Sequence, residues 1–387
     1  MTVDSATIPV TVGFVPASVA VPDADRPGLL RAGPRASAPY ARDNVEAHVV
    51  QATDSCREDA PQPELLTFGF DTVDLSPLDI LQRVCARVRD AGVVSDEDAT
   101  TIRSSLQGAT LDCAGGRTIT VLHLADEGFI MRRAGPNGIA IVGSRSRGMN
   151  DHGGATSVHA DQDVFGTPLT QLMDGRAPTL LRHDSPDSTN RDAGLMLLNL
   201  WIPLQQISQP LVLADGRSID RRRHQLRYGL ATEGFLDRED DMAVNDIWTF
   251  LHHPGQRWYL RSEMDHRRAY VFDTLSTAHG ACTLPGEDVA ERSYRSLEDA
   301  EEAVAAGDVA ALVEAVSTLR RPANPETPPS LGDAIDAMAA VAGEAHADPA
   351  RTCGEGAAAW STRSRAARRR VVRMSLEMRM VVSIDGS

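Results

Sequence analysis

Val158-His159-Ala160-Asp161-Gln162-Asp163 puts an imidazole and a carboxylate two residues apart. Read as the end of a strand, His159 and Asp161 project from one face, because side chains alternate across a strand. A neutral imidazole and a carboxylate can occupy adjacent positions on a metal ion. A second histidine from a distant strand would complete two histidines and one carboxylate, the facial set that suits non-haem Fe(II) and leaves positions open. His-x-Asp is a common triplet, and a surface pair beside a turn is the plainer alternative. The rest of the chain must therefore supply the missing ligand and its support.

His279 is the first candidate for that ligand, since Asp273-Thr274-Leu275-Ser276-Thr277-Ala278-His279 sets it just past an apolar strand, Arg268 to Asp273. His152, His252 and His253 are rivals. Iron held on one face would leave room for the 2-oxo acid group of 2-oxoglutarate and for O2. The far carboxylate of that co-substrate then needs a buried cation and a hydroxyl. Arg373-Met374-Ser375 offers a guanidinium fork and an adjacent Oγ on one strand face. Arg379 lies on the same face and is counted with Arg373 and Ser375 as a candidate contact to 2-oxoglutarate. An edge strand with a salt-bridged solvent face is the alternative for this segment, and Arg292 and Arg295 are weaker candidates for the anchor.

These residues need a scaffold that can bring them together. The chain has 387 residues, long enough for one large domain or two ordinary ones. Its net charge of −15 argues against a nucleic-acid surface, which needs clustered positive charge. The five cysteines (Cys56, Cys85, Cys113, Cys282, Cys353) are scattered and odd in number, so they read as reduced thiols of a cytoplasmic protein. No signal peptide is indicated, and no apolar run approaches the ~20 residues of a membrane span.

Residues 1–62, rich in Pro, Ala, Val, Asp and Ser, read as an irregular lead-in. Leu65 to Val73 reads as a strand. Ser76-Pro77 reads as a helix start, Leu81, Val84, Cys85 and Val88 form that helix's apolar face, and Gly92 ends it. Ser95-Asp96-Glu97-Asp98 opens a second helix. Strands are expected over Thr118–Leu124 and Gly138–Val142, then a Gly-rich loop from Gly143 to Thr156 that borders the site. Pro168–Met173 reads as a short helix and 182–193 as turn-like. Strands follow over Gly194–Leu204, Gln209–Asp215, Gln256–Leu260 and Arg268–Asp273, with 216–247 as a surface excursion. Leu297–Arg320 and Leu331–His346 have helical period. Val371 to Ile384 alternates and reads as a half-buried strand. The fold class implied is mainly β with flanking helices: a double-stranded β-helix, or jelly roll, with a helical insertion. Residues 63–284 and 366–387 would form the core, and 285–365 the insertion.

His159-x-Asp161, Asn199-Leu200-Trp201-Ile202-Pro203-Leu204, Gln256-Arg257-Trp258-Tyr259, Phe272-Asp273-Thr274 with His279, and Arg373-x-Ser375-Leu376-Glu377-x-Arg379 occur in that order from about residue 120 to the C-terminus. Together they resemble the cephalosporin 7-alpha-hydroxylase and fungal hydroxylase-desaturase family of Fe(II)/2-oxoglutarate-dependent oxygenases. The resemblance implies that His159, Asp161 and His279 ligate iron and that Arg373 and Ser375 bind 2-oxoglutarate. It implies oxidation of an unactivated C–H bond in a small amino-acid-like or secondary-metabolite substrate. The chain departs from the family at Ile202, where an arginine is usual, and in the wide separation of His279 from the Arg373 strand. A carboxylate at Asp161 speaks against a halogenase, which keeps a small residue there.

A non-catalytic jelly-roll protein that binds a metal or ligand, or a scaffold for another biosynthetic enzyme, is the alternative from a different class. The helical segment would then be its docking surface, and it could equally be a homodimer face. Among enzymes, a zinc hydrolase could use the same ligand types, but the Arg373-x-Ser375 strand would then have no purpose. Arg145, Arg147, Arg182 and His183 could meet an anionic substrate group.

Overall fold

Leu195–Gln206 is apolar almost throughout, as a strand covered on both faces requires. It pairs antiparallel with Arg268–Asp273 on one edge and Arg373–Ile384 on the other. Thr118–Leu124 and Ile130–Ala134 continue the sheet from the far edge of Arg373–Ile384, and Phe70–Asp74 continues it beyond Arg268–Asp273. The computed structural model describes residues 6–24, 26–33, 45–57, 59–125, 128–141, 148–150, 152–161, 194–231, 244–317 and 325–385.

A second sheet of ten strands faces the first. Its centre is Leu211–Ala214, His279–Thr283 and the short His159–Ala160. Thr7–Phe14 and Glu46–Asp54 pair with each other, and Thr7–Phe14 also pairs with His279–Thr283. Glu46–Asp54 pairs with Trp258–Leu260, which returns to Leu211–Ala214, so this path of neighbours closes on itself. The sheet is barrel-like as a result. Between the sheets, Trp201, Tyr270, Phe272 and Phe70 from one pack with Leu211, Leu213 and Tyr259 from the other.

Helices cover the outside. Asp79–Ala91 buries Leu81, Val84, Cys85 and Val88 and stops at Gly92 in the left-handed region. Asp96–Leu106 is held by a reciprocal cap between Ser95 and Asp98. Glu287–Ala306, Val309–Ser317, Pro329–Ala347 and Ala357–Arg370 pack together. Their Leu297, Met338 and Trp360 belong to one apolar cluster with Met374, Leu376 and Met378 of the Arg373–Ile384 strand. That strand is therefore buried on both faces rather than half-buried. Its apolar side chains join the helix-covered cluster, and Arg373 and Ser375 are also buried.

Several local expectations give way. Thr7–Phe14 and Glu46–Asp54, within the segment read as irregular, are strands. Their composition hid an alternation that only the pairing partners make cohesive. Leu65–Phe68 is a helical turn ended by Gly69, and only Phe70–Asp74 is strand. The first long helix begins at Asp79, with no side-chain cap from Ser76. Ile130–Ala134, not Gly138–Ile141, is the strand there, because the turn at Pro136–Gly138 holds Asn137 left-handed. Gln225–Ala231 and Val244–Phe250 are paired strands inside the stretch read as a surface excursion. The helix expected over 168–173, the turn over 182–193, and Arg145, Arg147, Arg182 and His183 lie outside the described residues. All five cysteines are unpaired. Among the described residues no helix is long and apolar enough to cross a membrane.

Candidate metal centre

His159 and His279 are cross-strand partners in neighbouring strands of the second sheet. Residues paired this way present side chains on one face at close range, and the two rings lie 4.4 Å apart at 50°. Asp161, just past the His159–Ala160 strand, turns its Oδ1 to 3.2 Å from Nε2 of His159 and 3.8 Å from Nε2 of His279. The three ligand atoms lie within 4.8 Å of one another.

The proton positions follow from the backbone. Nδ1 of His159 is 2.9 Å from the Ser157 carbonyl, and Nδ1 of His279 is 3.0 Å from the Thr277 carbonyl. A carbonyl only accepts, so each Nδ1 carries the proton and each Nε2 presents a lone pair. Burial, then the neighbouring His159, pushes His279 down to about 4, so its ring is neutral at physiological pH. Burial alone would raise the Asp161 carboxyl. A proton on His159 that bonds Asp161, the charge of either ring when protonated, and Arg379 instead hold it well below the usual carboxylate range. Lone pairs of two imidazoles and a carboxylate thus converge on one point. The arrangement is repulsive unless a proton or a cation sits among them, and the N, N, O donor set suits a transition metal.

Asn199 supports this trio from the opposite sheet. Its Nδ2 donates to Oδ2 of Asp161, and its Oδ1 accepts from Thr274 Oγ1 at 2.7 Å. Phe272, one sheet position away, packs its ring 4.4 Å from that of His279. Neither residue was singled out for the site from the sequence. A lone amide inside the apolar run Leu195–Leu204 was the available signal, because a buried amide must find partners. Replacing it (Asn199→Ala) should lower metal affinity about ten- to a hundredfold, the usual effect of removing a partner that orients a ligand. Competition with a chelator of known affinity would measure this, and an unchanged value would detach Asn199 from the site.

Arg373, 2% exposed, and Ser375, fully buried, lie in the first sheet. Arg373 lines a small cavity with His159, His279, Arg132 and Glu377. Its Nη1 donates to the Gln209 carbonyl at 3.1 Å, and its guanidinium lies 5.9 Å from the Trp201 ring centre. Among the described residues, Nε and Nη2 of Arg373 and Oγ of Ser375 have no hydrogen-bond partner. Burial lowers Arg373 to about 10, which still leaves it charged at neutral pH. A buried, charged group with idle donors is costly, and unpaired groups of this kind mark places where a ligand is missing. Gly154 keeps space beside the fork, since a Cβ there would come to 3.3 Å from Nη2. Arg132 and Glu377, in the same cavity, pair with each other at 2.8 Å.

Arg379 is half-buried on the same strand, opposite Asn199. Of the rivals, His152 is buried and bonds the Gly148 carbonyl at 2.8 Å, while His252 stacks on His48 and His253 on His224. None joins the trio. Arg292 and Arg295 are engaged with Asp288 and Glu291 on the exposed face of their helix.

No protein-family model matches the chain, and no curated protein does either. Among solved structures, one similar chain is an iron and alpha-ketoglutarate-dependent endoperoxidase, NvfI, at 14% identity and TM-score 0.46, covering 98% of this chain and 99% of that one. The same endoperoxidase in a different conformation gives 13% identity and TM-score 0.47, covering 99% of each chain.

Proposed function

We propose that the chain is a non-haem Fe(II)/2-oxoglutarate-dependent oxygenase built on a jelly-roll core, oxidising an unactivated C–H bond of a small amino-acid-like or secondary-metabolite substrate. One observation carries the reading: His159 and His279 of the convergent trio and a buried cation with idle donors border one cavity. His159 Nε2, Asp161 Oδ1 and His279 Nε2 would hold the iron. Arg373 and Ser375 would take the far carboxylate of 2-oxoglutarate, a fork and a hydroxyl being well matched to it. When bound, iron, O2 and 2-oxoglutarate supply the oxidising chemistry, with succinate and CO2 released and the substrate hydroxylated, desaturated or cyclised.

The protein's own part is positional. The Ser157 and Thr277 carbonyls fix both rings in the tautomer that leaves Nε2 available. Asn199 and Thr274 fix the carboxylate. Burial around Arg373 excludes water, so its charge is not screened and its unused donors find no other partner.

The test is an anaerobic titration of Fe(II) and 2-oxoglutarate into the metal-free protein, followed by visible absorption. A weak charge-transfer band that needs both additions is expected. Iron binding without the band would favour a metal-binding or scaffold protein, and no iron binding would sink the reading. In Arg373→Met the 2-oxoglutarate midpoint should rise by at least about thirtyfold, the low end for truncating a buried charge pair, with iron affinity unchanged. An unmoved midpoint would remove Arg373 from the co-substrate site.

A further inference from the structure

Arg379 shares a strand face with Arg373, but six residues of extended chain put it about 20 Å further along. One carboxylate cannot engage both. Its position is set by Asn199, its direct cross-strand partner, whose amide reaches Asp161. Directly opposed residues point to the same side of a sheet, so Arg379 faces the metal centre from the side opposite Arg373. It is close enough to act electrostatically on Asp161. Among the described residues its guanidinium has no hydrogen bond or ion pair. Its nitrogens are not sealed from solvent, and a Cβ on nearby Gly128 would still lie 3.9 Å from Nη1. Arg132, by contrast, is neutralised by Glu377 within the roll.

Charge balance says what the idle cation would meet. This step rests on the oxygenase reading. A divalent ion, Asp161, Arg373 and a dianionic co-substrate sum to zero, and Arg132 cancels Glu377. Arg379 is left over, in a protein whose net charge is −15. We infer that Arg379 is the recognition group for an oxyanion, most simply a carboxylate, on the primary substrate, and that it holds this anion on the Asp161 side of the metal while Arg373 serves the co-substrate.

The test uses N-acetyl-L-leucine and its carboxamide as probes of equal shape and different charge. Each is added to full-length protein loaded anaerobically with Fe(II) and 2-oxoglutarate. The paramagnetic iron broadens proton resonances of any probe bound beside it. The acid should bind wild type and Arg379→Lys in preference to the amide. In Arg379→Met its affinity should fall by about tenfold or more, the loss expected for a charged hydrogen bond, with the charge-transfer band intact. Equal broadening by acid and amide in wild type, or none by the acid, overturns the inference. Loss of the band in Arg379→Met also overturns it, by moving Arg379 to the co-substrate. A wild-type protein that shows no band fails one step earlier, at the oxygenase reading itself.

Discussion

His279→Ala is expected to abolish stoichiometric Fe(II) binding and, with it, substrate-dependent succinate formation, while leaving the metal-free protein as stable as wild type or slightly more so. The two halves of this expectation have one cause. In the metal-free protein, His279 contributes a lone pair directed at another lone pair and a carboxylate. Removing it relieves that repulsion and leaves no acceptor stranded except the Thr277 carbonyl. In the loaded protein the same atom is one of three donors, and two are too few to hold the ion. Protons do not compete for the site near neutral pH, because burial keeps His279 at about 4. Wild type should therefore gain thermal stability on adding Fe(II), since a ligand that binds only the folded state stabilises it by mass action. The variant should gain none. Asp161→Ala should behave alike towards metal, but with some loss of stability because it strands the Asn199 amide. Either variant binding iron as tightly as wild type would remove that residue from the site.

The legibility of this centre followed from chemistry that repeats locally. His159 and Asp161 could be read together because alternation alone puts them on one face. Arg373 and Ser375 were legible for the same reason. His279 was found by its place after the Arg268–Asp273 strand, although it begins a strand of its own rather than sitting in a loop. What escaped was whatever depends on pairing between distant segments. Thr7–Phe14 has no strong signal until Glu46–Asp54 and His279–Thr283 lie against it. Gln225–Ala231 is polar enough to resemble a loop, and its cohesion comes from Val244–Phe250. Asn199 is one amide in an apolar run, and its purpose is visible only when Asp161 arrives from the other sheet. The wide gap between His279 and Arg373 in sequence departs from the family pattern, yet both residues line one cavity. The helices that fill the gap pack on the outer face of the strand that carries Arg373, so the chain leaves the sheets and returns to them.

Glu287→Gln is the substitution expected to show that those helices reach the proposed co-substrate site. Glu287 is fully buried at the first turn of Glu287–Ala306. Burial raises its carboxyl, against hydrogen bonds that lower it. Its Oε1 accepts from the backbone N–H of Gln209 at 2.7 Å and of Leu284 at 2.9 Å. Its Oε2 accepts from the Asn137 backbone at 2.6 Å and from Gln209 Nε2 at 2.7 Å. Asn137 and Gln209 are the non-glycine residues with positive φ among the described residues, at 54° and 47°. One carboxylate thus clamps both left-handed turns, a conformation that costs of order 1–3 kcal/mol per residue unless its surroundings hold it. The Gln209 carbonyl, in turn, is the acceptor for Arg373 Nη1. Glutamine is nearly isosteric, yet its amide nitrogen would face two N–H donors and accept from neither. The loss should be about 3 kcal/mol of stability, as for other broken buried charge networks. The informative part is the ligand dependence. Once Gln209 relaxes, the fork of Arg373 loses its fixed point, so the 2-oxoglutarate midpoint should rise several-fold while Fe(II) affinity stays put. Leu297→Ala, in the same helix and fully buried, is the control. It should cost a similar ~2–5 kcal/mol without moving the midpoint. If both variants shift the midpoint equally, the effect is general loosening and Glu287 has no positioning role. If Glu287→Gln shifts it alone, and the shift vanishes in an Arg373→Met background, the coupling runs from the helix through Gln209 to the guanidinium.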